Sequence, residues 1–188
     1  MLDNFGFDSG PTSVTVNNPQ VGLYAQTANS IPITNTITEN SLIDGGVGSL
    51  SIPANTFTIG SSFIASLSGV ISSKNNDKLR IKVKTGAIIL GDTGLITMPQ
   101  TTNKKWDLEV HFTIRAIGGI GIAAILTSGT FTYSKDASNA FEGGDFSTLN
   151  NTTFNTTIAN TLDITAQWNA ANVQNSIYTQ YFNLYRVF

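Results

Sequence analysis

The chain has 188 residues, of which 40% are hydrophobic and only 12% charged, about half the usual share, with a net charge of −2. That length suits a single domain, one that buries roughly 70% of its unfolded surface. No cysteine is present, which excludes structural disulfides and thiolate metal sites.

Polarity comes from Ser, Thr and Asn rather than from charge, and 11 phenylalanines separate the chain from a disordered one. Threonine is β-branched and fits a pleated strand, whereas the Glu and Lys runs of surface helices are nearly absent. An all-β domain follows, best met by an antiparallel β-sandwich of jelly-roll type. A surface so poor in charge has little protection against association, so sister subunits are expected to cover part of it.

Residues 1–20 hold Gly, Asn, Asp and Pro and read as an N-terminal arm ahead of one head domain, 21–188. The opening "MLDNFGFDSGPTS" has no basic region followed by an apolar core, so release by lysis or assembly is expected rather than signal-directed export. From Val21 onward, short alternating runs are punctuated by turn residues. "VGLYAQTA" and "IPITNTIT" come first, and "DGGVGSLSIP" reads as a turn at Gly45 and Gly46. That segment lacks the Lys-Ser/Thr and the helix of a phosphate-binding loop.

"SSFIASLSGVISS" places Phe63, Ala65, Leu67, Gly69 and Ile71 on one face. "KNNDK" is a turn, and "KLRIKVK" then turns Leu79, Ile81 and Val83 inward. The outward Arg80, Lys82 and Lys84 form a weak footprint for nucleic acid, and cross-strand pairing with Asp107 and Glu109 is the more economical use of them. No nucleic-acid partner is expected. In "WDLEVHFTIRAI" six apolar residues from Trp106 to Ala116 keep strict period two, with Asp107, Glu109, His111, Thr113 and Arg115 opposite. "IAAILTSGTFTYS" is its hairpin partner. The most apolar stretch, 114–126, is broken by three glycines and an arginine, too short and interrupted for a membrane helix, and no membrane insertion is expected.

"KDASNAFEGGDFSTLN" reads as the longest loop; Asp136, Asn139, Glu142 and Asp145 are oxygen ligands, but their spacing is not that of a calcium loop. "NNTTFNTTIANTLDITAQW" holds three glycosylation motifs, at Asn150, Asn151 and Asn155. Asn-Thr pairs recur elsewhere, at Asn35, Asn55 and Asn160, so these motifs are read as a by-product of composition. A strand is expected from about Ile158 to Trp168. The last segment, "NSIYTQYFNLYRVF", carries apolar residues on both parities: Tyr178, Phe182, Leu184 and Phe188 on one, Ile177, Tyr181, Tyr185 and Val187 on the other. A strand covered on both sides needs a second partner, which marks Tyr181, Tyr185 and Val187 as candidate subunit-interface residues.

No residue is read as catalytic, cofactor-binding or metal-binding. His111 is the single histidine, and a histidine metal site or a relay triad needs more groups. Asp107 and Glu109 lie about 7 Å apart on one strand face, near the separation of glycosidase carboxylates, yet nothing else supports hydrolysis. Tyr178, Tyr181, Tyr185 and Trp168 have the rings to stack on sugars but alternate as core and interface residues do.

Several blocks, namely "QTANSIPITNTITENSLIDGGVGSLSIPANTF", "LRIKVKTGAIILGDTGLITMP", "WDLEVHFTIRAIG", "GTFTYSK" and "NTLDITAQW" with "NSIYTQYFNLYRV", resemble viral and phage-borne spike or tail-fibre heads with jelly-roll folds. The resemblance covers 26–188. It implies a homotrimer on the virion surface that engages a host receptor or glycan, tied to other virion proteins by the N-terminal arm, with no enzymatic role. A jelly-roll capsid component, such as a penton or minor capsid protein, is the alternative, and a carbohydrate-active domain using Asp107 and Glu109 a third.

Overall fold

A computed structural model describes residues 21–136 and 140–188; the arm expected over 1–20 lies outside the described residues. These form strands and connections with no helix. In chain order the strands are β1 (Val21–Gln26), β2 (Ile33–Thr34), β3 (Asn40–Ser41), β4 (Gly46–Gly48), β5 (Ser51–Ile52), β6 (Ser62–Ser73) and β7 (Lys78–Thr85). They continue with β8 (Ile88–Asp92), β9 (Ile96–Thr97), β10 (Thr101–Ala116), β11 (Ala124–Ser134), β12 (Phe141–Asn151), β13 (Asn160–Trp168) and β14 (Ser176–Arg186). Nine of these run five residues or more.

Two antiparallel sheets share one core. The large sheet has the order β12-β11-β10-β6-β14-β1-β4, with β2 beside β14; the small one has β3-β13-β7-β8, with β5 on β13 and β9 on β7. The alternation of β6, β7 and β10 is realised as read: Phe63, Ala65, Leu67, Leu79, Ile81, Val83, Trp106, Leu108 and Val110 are all buried. Trp106 and Trp168 come from opposite sheets and each satisfies its indole N–H, on the carbonyls of Tyr178 and Ile33, both at 3.1 Å. A buried indole left without a partner would cost about 1–3 kcal/mol.

Gly69 explains the two-parity pattern of the last strand. It lies opposite Trp106 on one side and Thr179 on the other. A Cβ there would stand 2.0 Å from the Tyr178 carbonyl oxygen, so only glycine lets that carbonyl reach the Trp106 indole. Beside it, β14 carries a bulge between Thr179 and Tyr181 that inserts one residue. Parity flips at that point. Ile177 and Thr179 face the core before the bulge, and Phe182 and Leu184 after it. The strand is therefore not apolar on two faces: Tyr178, Tyr181 and Tyr185 share its outer side with Asn183, and Ile177 joins Phe182 and Leu184 inside.

Three further readings are corrected. Residues 141–151 are not a loop but strand β12, paired along β11 at the sheet edge. Phe141 and Leu149 point to solvent there, which removes the inward alternation that marks a strand. Phe146 alone reaches inward, over Gly91 and Gly129, where a Cβ would stand 2.2 and 2.5 Å from its ring. The turn read at Gly45 and Gly46 is only a bend at Gly45; Gly46 already belongs to edge strand β4 against β1, where Gly46 and Gly48 pack so closely on Tyr24 and Leu23 that side chains would collide. The third concerns the basic strip of β7, whose partners are described next.

Candidate functional site

Both sheets turn a polar face to the outside. On the small sheet, the strip Arg80, Lys82 and Lys84 is engaged from within. The Arg80 guanidinium grips Asp92 of β8, with Nε 2.8 Å from Oδ1. Glu39, in the connection before β3, sits between Lys82 and Lys84, the latter at 2.8 Å, and accepts a further bond from Thr165 Oγ1 at 2.9 Å. Burial alone would raise the Glu39 carboxyl, but the bonds from Lys82, Lys84 and Thr165 outweigh it and hold it at about 2. Gln167 donates to the Ile37 carbonyl, so the segment 37–41 lies across this face. The expected pairing with Asp107 and Glu109 does not occur, because β7 and β10 belong to different sheets.

The large sheet is different. Its register sets Glu109 of β10 opposite Thr130 and Ser66, with Asp145 of β12 beyond Thr130 and Asn183 of β14 beyond Ser66. This gives a row of carboxylate, hydroxyl, carboxylate, hydroxyl and amide at intervals of about 4.8 Å. His111 leads the neighbouring row, opposite Ser128 and Ile64, with Ser147 and Tyr185 at its ends. Asp107 leads a third, which runs through Ser68 to Tyr181. Glu109, His111, Thr130, Asp145 and Ser147 border a shallow depression. The face stays open: the Glu109 and His111 side chains are 60% and 51% exposed, and their only mutual tie is a 2.8 Å contact between Oε1 and Nε2. Tyr181 is 47% exposed and its hydroxyl accepts a 2.7 Å bond from Asn183.

Ser128, His111 and Glu109 have the residue types of a relay set. No hydrogen bond joins His111 to Ser128, however, and the set stands in water on a flat sheet without converging backbone donors. The face supplies donors, acceptors and two phenol rings at fixed spacing, which is the equipment of binding.

The would-be calcium ligands do not converge. Asp136 pairs with Lys104 at 3.6 Å; Glu142 accepts from the buried Tyr133 hydroxyl at 2.9 Å and pairs with Lys135. Burial, and then Glu142, push the Tyr133 phenol well above its ordinary range. Asp145 belongs to the depression, and Asn139 lies outside the described residues. No cluster of three or more metal-ligating side chains occurs among the described residues.

Trp168 is a core residue, not a stacking platform. Tyr185 and Val187 are half-buried, and the Val187 N–H donates to the Ser62 carbonyl at 2.8 Å. Asn150 adopts a left-handed φ of 51° where the β11–β12 register shifts. Asn151 and Asn155 cap their own turns, each Oδ1 accepting from the N–H and hydroxyl of the threonine two residues on.

Alternation places Asp107, Glu109 and His111 outward, but Ser66, Thr130, Asp145 and Asn183 join them only through strand order. No local signal announces that order; the bulge in β14 and the Gly143-Gly144 pair of β12 hide two of the contributing strands. No family model, no curated protein and no solved structure matches the chain.

Proposed function

We propose that this chain is the non-enzymatic head of a virion spike or fibre, a jelly-roll domain that assembles as a homotrimer on the virion surface and attaches to a host receptor. The observation that carries the reading is the open row Asp145, Thr130, Glu109, Ser66 and Asn183, flanked by Tyr181 and Tyr185. Alternating acceptors and donors beside phenol rings match the hydroxyls and apolar ring faces of a glycan. The resemblance of residues 26–188 to spike and fibre heads supplies the setting. Assembly is supported by β12, an eleven-residue edge strand with Phe141 and Leu149 exposed, a template for pairing with another chain.

Glycan-array and host-cell binding by the full chain and by a Glu109→Ala/Asn183→Ala variant test the attachment site. Saturable binding by the native chain that the variant loses is the expected result; equal binding by both removes the site. Light scattering showing a stable monomer at micromolar concentration removes the trimer. The same edge strand also favours a jelly-roll capsid component that binds only other capsid chains. Absence of host-cell binding together with incorporation into particles would select that second reading.

A further inference from the structure

The two outer faces leave one feature unused, at the end of the sandwich where β10 passes into β11. The connecting segment 117–123 reads IGGIGIA, and it leaves Ile117, Ile120 and Ile122 exposed, the last two at 70% and 69%. Two neighbouring connections add exposed Ile59 and Ile158. The segments are bound to one another: Gly121 N–H donates to the Thr152 carbonyl at 2.8 Å, Thr156 N–H to that of Gly118 at 3.0 Å, and Asn55 N–H to that of Thr156 at 2.8 Å. Gly60 N–H reaches the Ile114 carbonyl at 2.8 Å and ties the Ile59 connection to the same hairpin. Five isoleucines are thus carried on a linked set of loops, not scattered singly.

We propose that this end of the sandwich docks on a lipid bilayer surface, with Ile120 and Ile122 entering the boundary between headgroups and acyl chains. Charge favours that occupant. None of the segments 53–61, 117–123 and 152–159 contains a charged residue, and the side chain that flanks the hairpin is the cation Arg115, held only by Asn150 at 3.3 Å. Three segments without an acidic side chain, bordered by one arginine, complement anionic lipid. The backbone favours it too. Ile122 and Ala123 N–H groups both return to the Gly119 carbonyl, and those of Gly118 and Gly121 bond to Thr156 Oγ1 and the Thr152 carbonyl, so four of the loop's donors keep a partner when water is removed. The Gly121 φ of +84° is one that a β-carbon would strain, and nothing lies within 4 Å of where that carbon would stand, so the segment meets open space at this point. Behind it the core holds an apolar cavity of about 60 Å³ bordered by Phe57, Phe112, Phe154 and Leu162, so apolar character continues inward. The contact is interfacial and spans nothing, in keeping with a stretch too short and interrupted to cross a bilayer. It uses a different surface from the glycan row and stands or falls separately from it.

Ile120→Trp in the full chain gives a direct reporter, since Trp106 and Trp168 are buried and already shielded. Its emission is expected to shift blue on phosphatidylcholine vesicles and further when phosphatidylserine is included, with co-sedimentation in parallel. Ile120→Asp/Ile122→Asp should lower the vesicle-bound fraction by at least about tenfold, with the native thermal midpoint retained because both positions are exposed. Arg115→Gln should cost about fivefold on the anionic vesicles and leave the neutral ones unchanged. Absence of both shift and co-sedimentation on either vesicle overturns the proposal. So does a shift that grows with protein concentration before any vesicle is added, which would make a second copy of the chain the occupant.

Discussion

Strands β7 and β10 follow the same rule, apolar inward and charged outward, yet their outer faces have opposite fates. Over β7 the segment 37–41 folds back, and Glu39, Asp92 and Thr165 engage the charges of the strip. Over β10 nothing described folds back, and Glu109 and His111 meet only one another. A charged strand face therefore has no fixed role of its own. What decides is whether a connection from elsewhere in the chain crosses it. A face whose charges are internally matched contributes stability; one whose groups are left in water leaves their hydrogen-bonding capacity unspent.

The sharpest way to break this contrast is at Gly69, which sets the parity of β14 and so turns Tyr181 and Asn183 toward the open face. Gly69→Val places carbon against the Tyr178 carbonyl and removes the Trp106 bond. Urea denaturation is expected to show a loss of about 3 kcal/mol or more; full stability would mean that the bulge is not set by this glycine.

Next come the two glutamates. Glu39→Gln is expected to cost about 2 kcal/mol, whereas Glu109→Gln should stay within about 0.5 kcal/mol. Their pH dependence separates them further. Glu39 is held at about 2, below its ordinary 4.5, so its contribution is complete above 4.5 and is lost as pH falls toward 2. Denaturation midpoints across pH 2–6 should fall more steeply for the native chain than for Glu39→Gln. Parallel curves would show that the Glu39 cluster is not coupled to folding.

A smaller effect than that of Glu39 belongs to Arg80. Its side chain is 37% exposed, so despite the bonds to Asp92, Arg80→Gln should cost less than about 1 kcal/mol, with most of that cost gone in high salt. A larger, salt-insensitive loss would show that this pair acts as a buried one. On the open face, Glu109→Ala/Asn183→Ala should weaken the proposed glycan binding by about tenfold with an unshifted thermal midpoint.

Strands with one clean period were legible: Phe63 to Ile71, Leu79 to Val83, and Trp106 to Ile114 are buried in the order that alternation requires. Strand β12 was not, because Phe141 and Leu149 are spent on the solvent side of an edge. The parity of β14 was hidden by a bulge that depends on Gly69, more than a hundred residues away in sequence. For the candidate site, outward orientation of Glu109 and His111 could be read locally. Their meeting with Asp145 and Asn183 could not, since register across four strand boundaries is a property of pairing and not of any segment. Asparagine serves the turns: Asn35, Asn55, Asn76, Asn103 and Asn150 all take left-handed φ, and of the Asn-Thr pairs Asn35 and Asn55 do so while Asn151 and Asn155 cap their own turns.

The position of β14 bears on how the molecule comes into being. The strand formed last in chain order lies in the interior of the large sheet, between β6 and β1. During synthesis, β6 and β10 can pair, and β1 can pair with β4, but the β1–β4 pair has no place in the large sheet until residues 176–186 have left the ribosome. Until then β6 presents a long unpaired edge with Leu67 and Ile71 beside it. Chains stalled before Ser176 are expected to be substrates for chaperones or aggregation rather than smaller folded domains. Closure of the large sheet therefore waits on β14, whatever has folded before it.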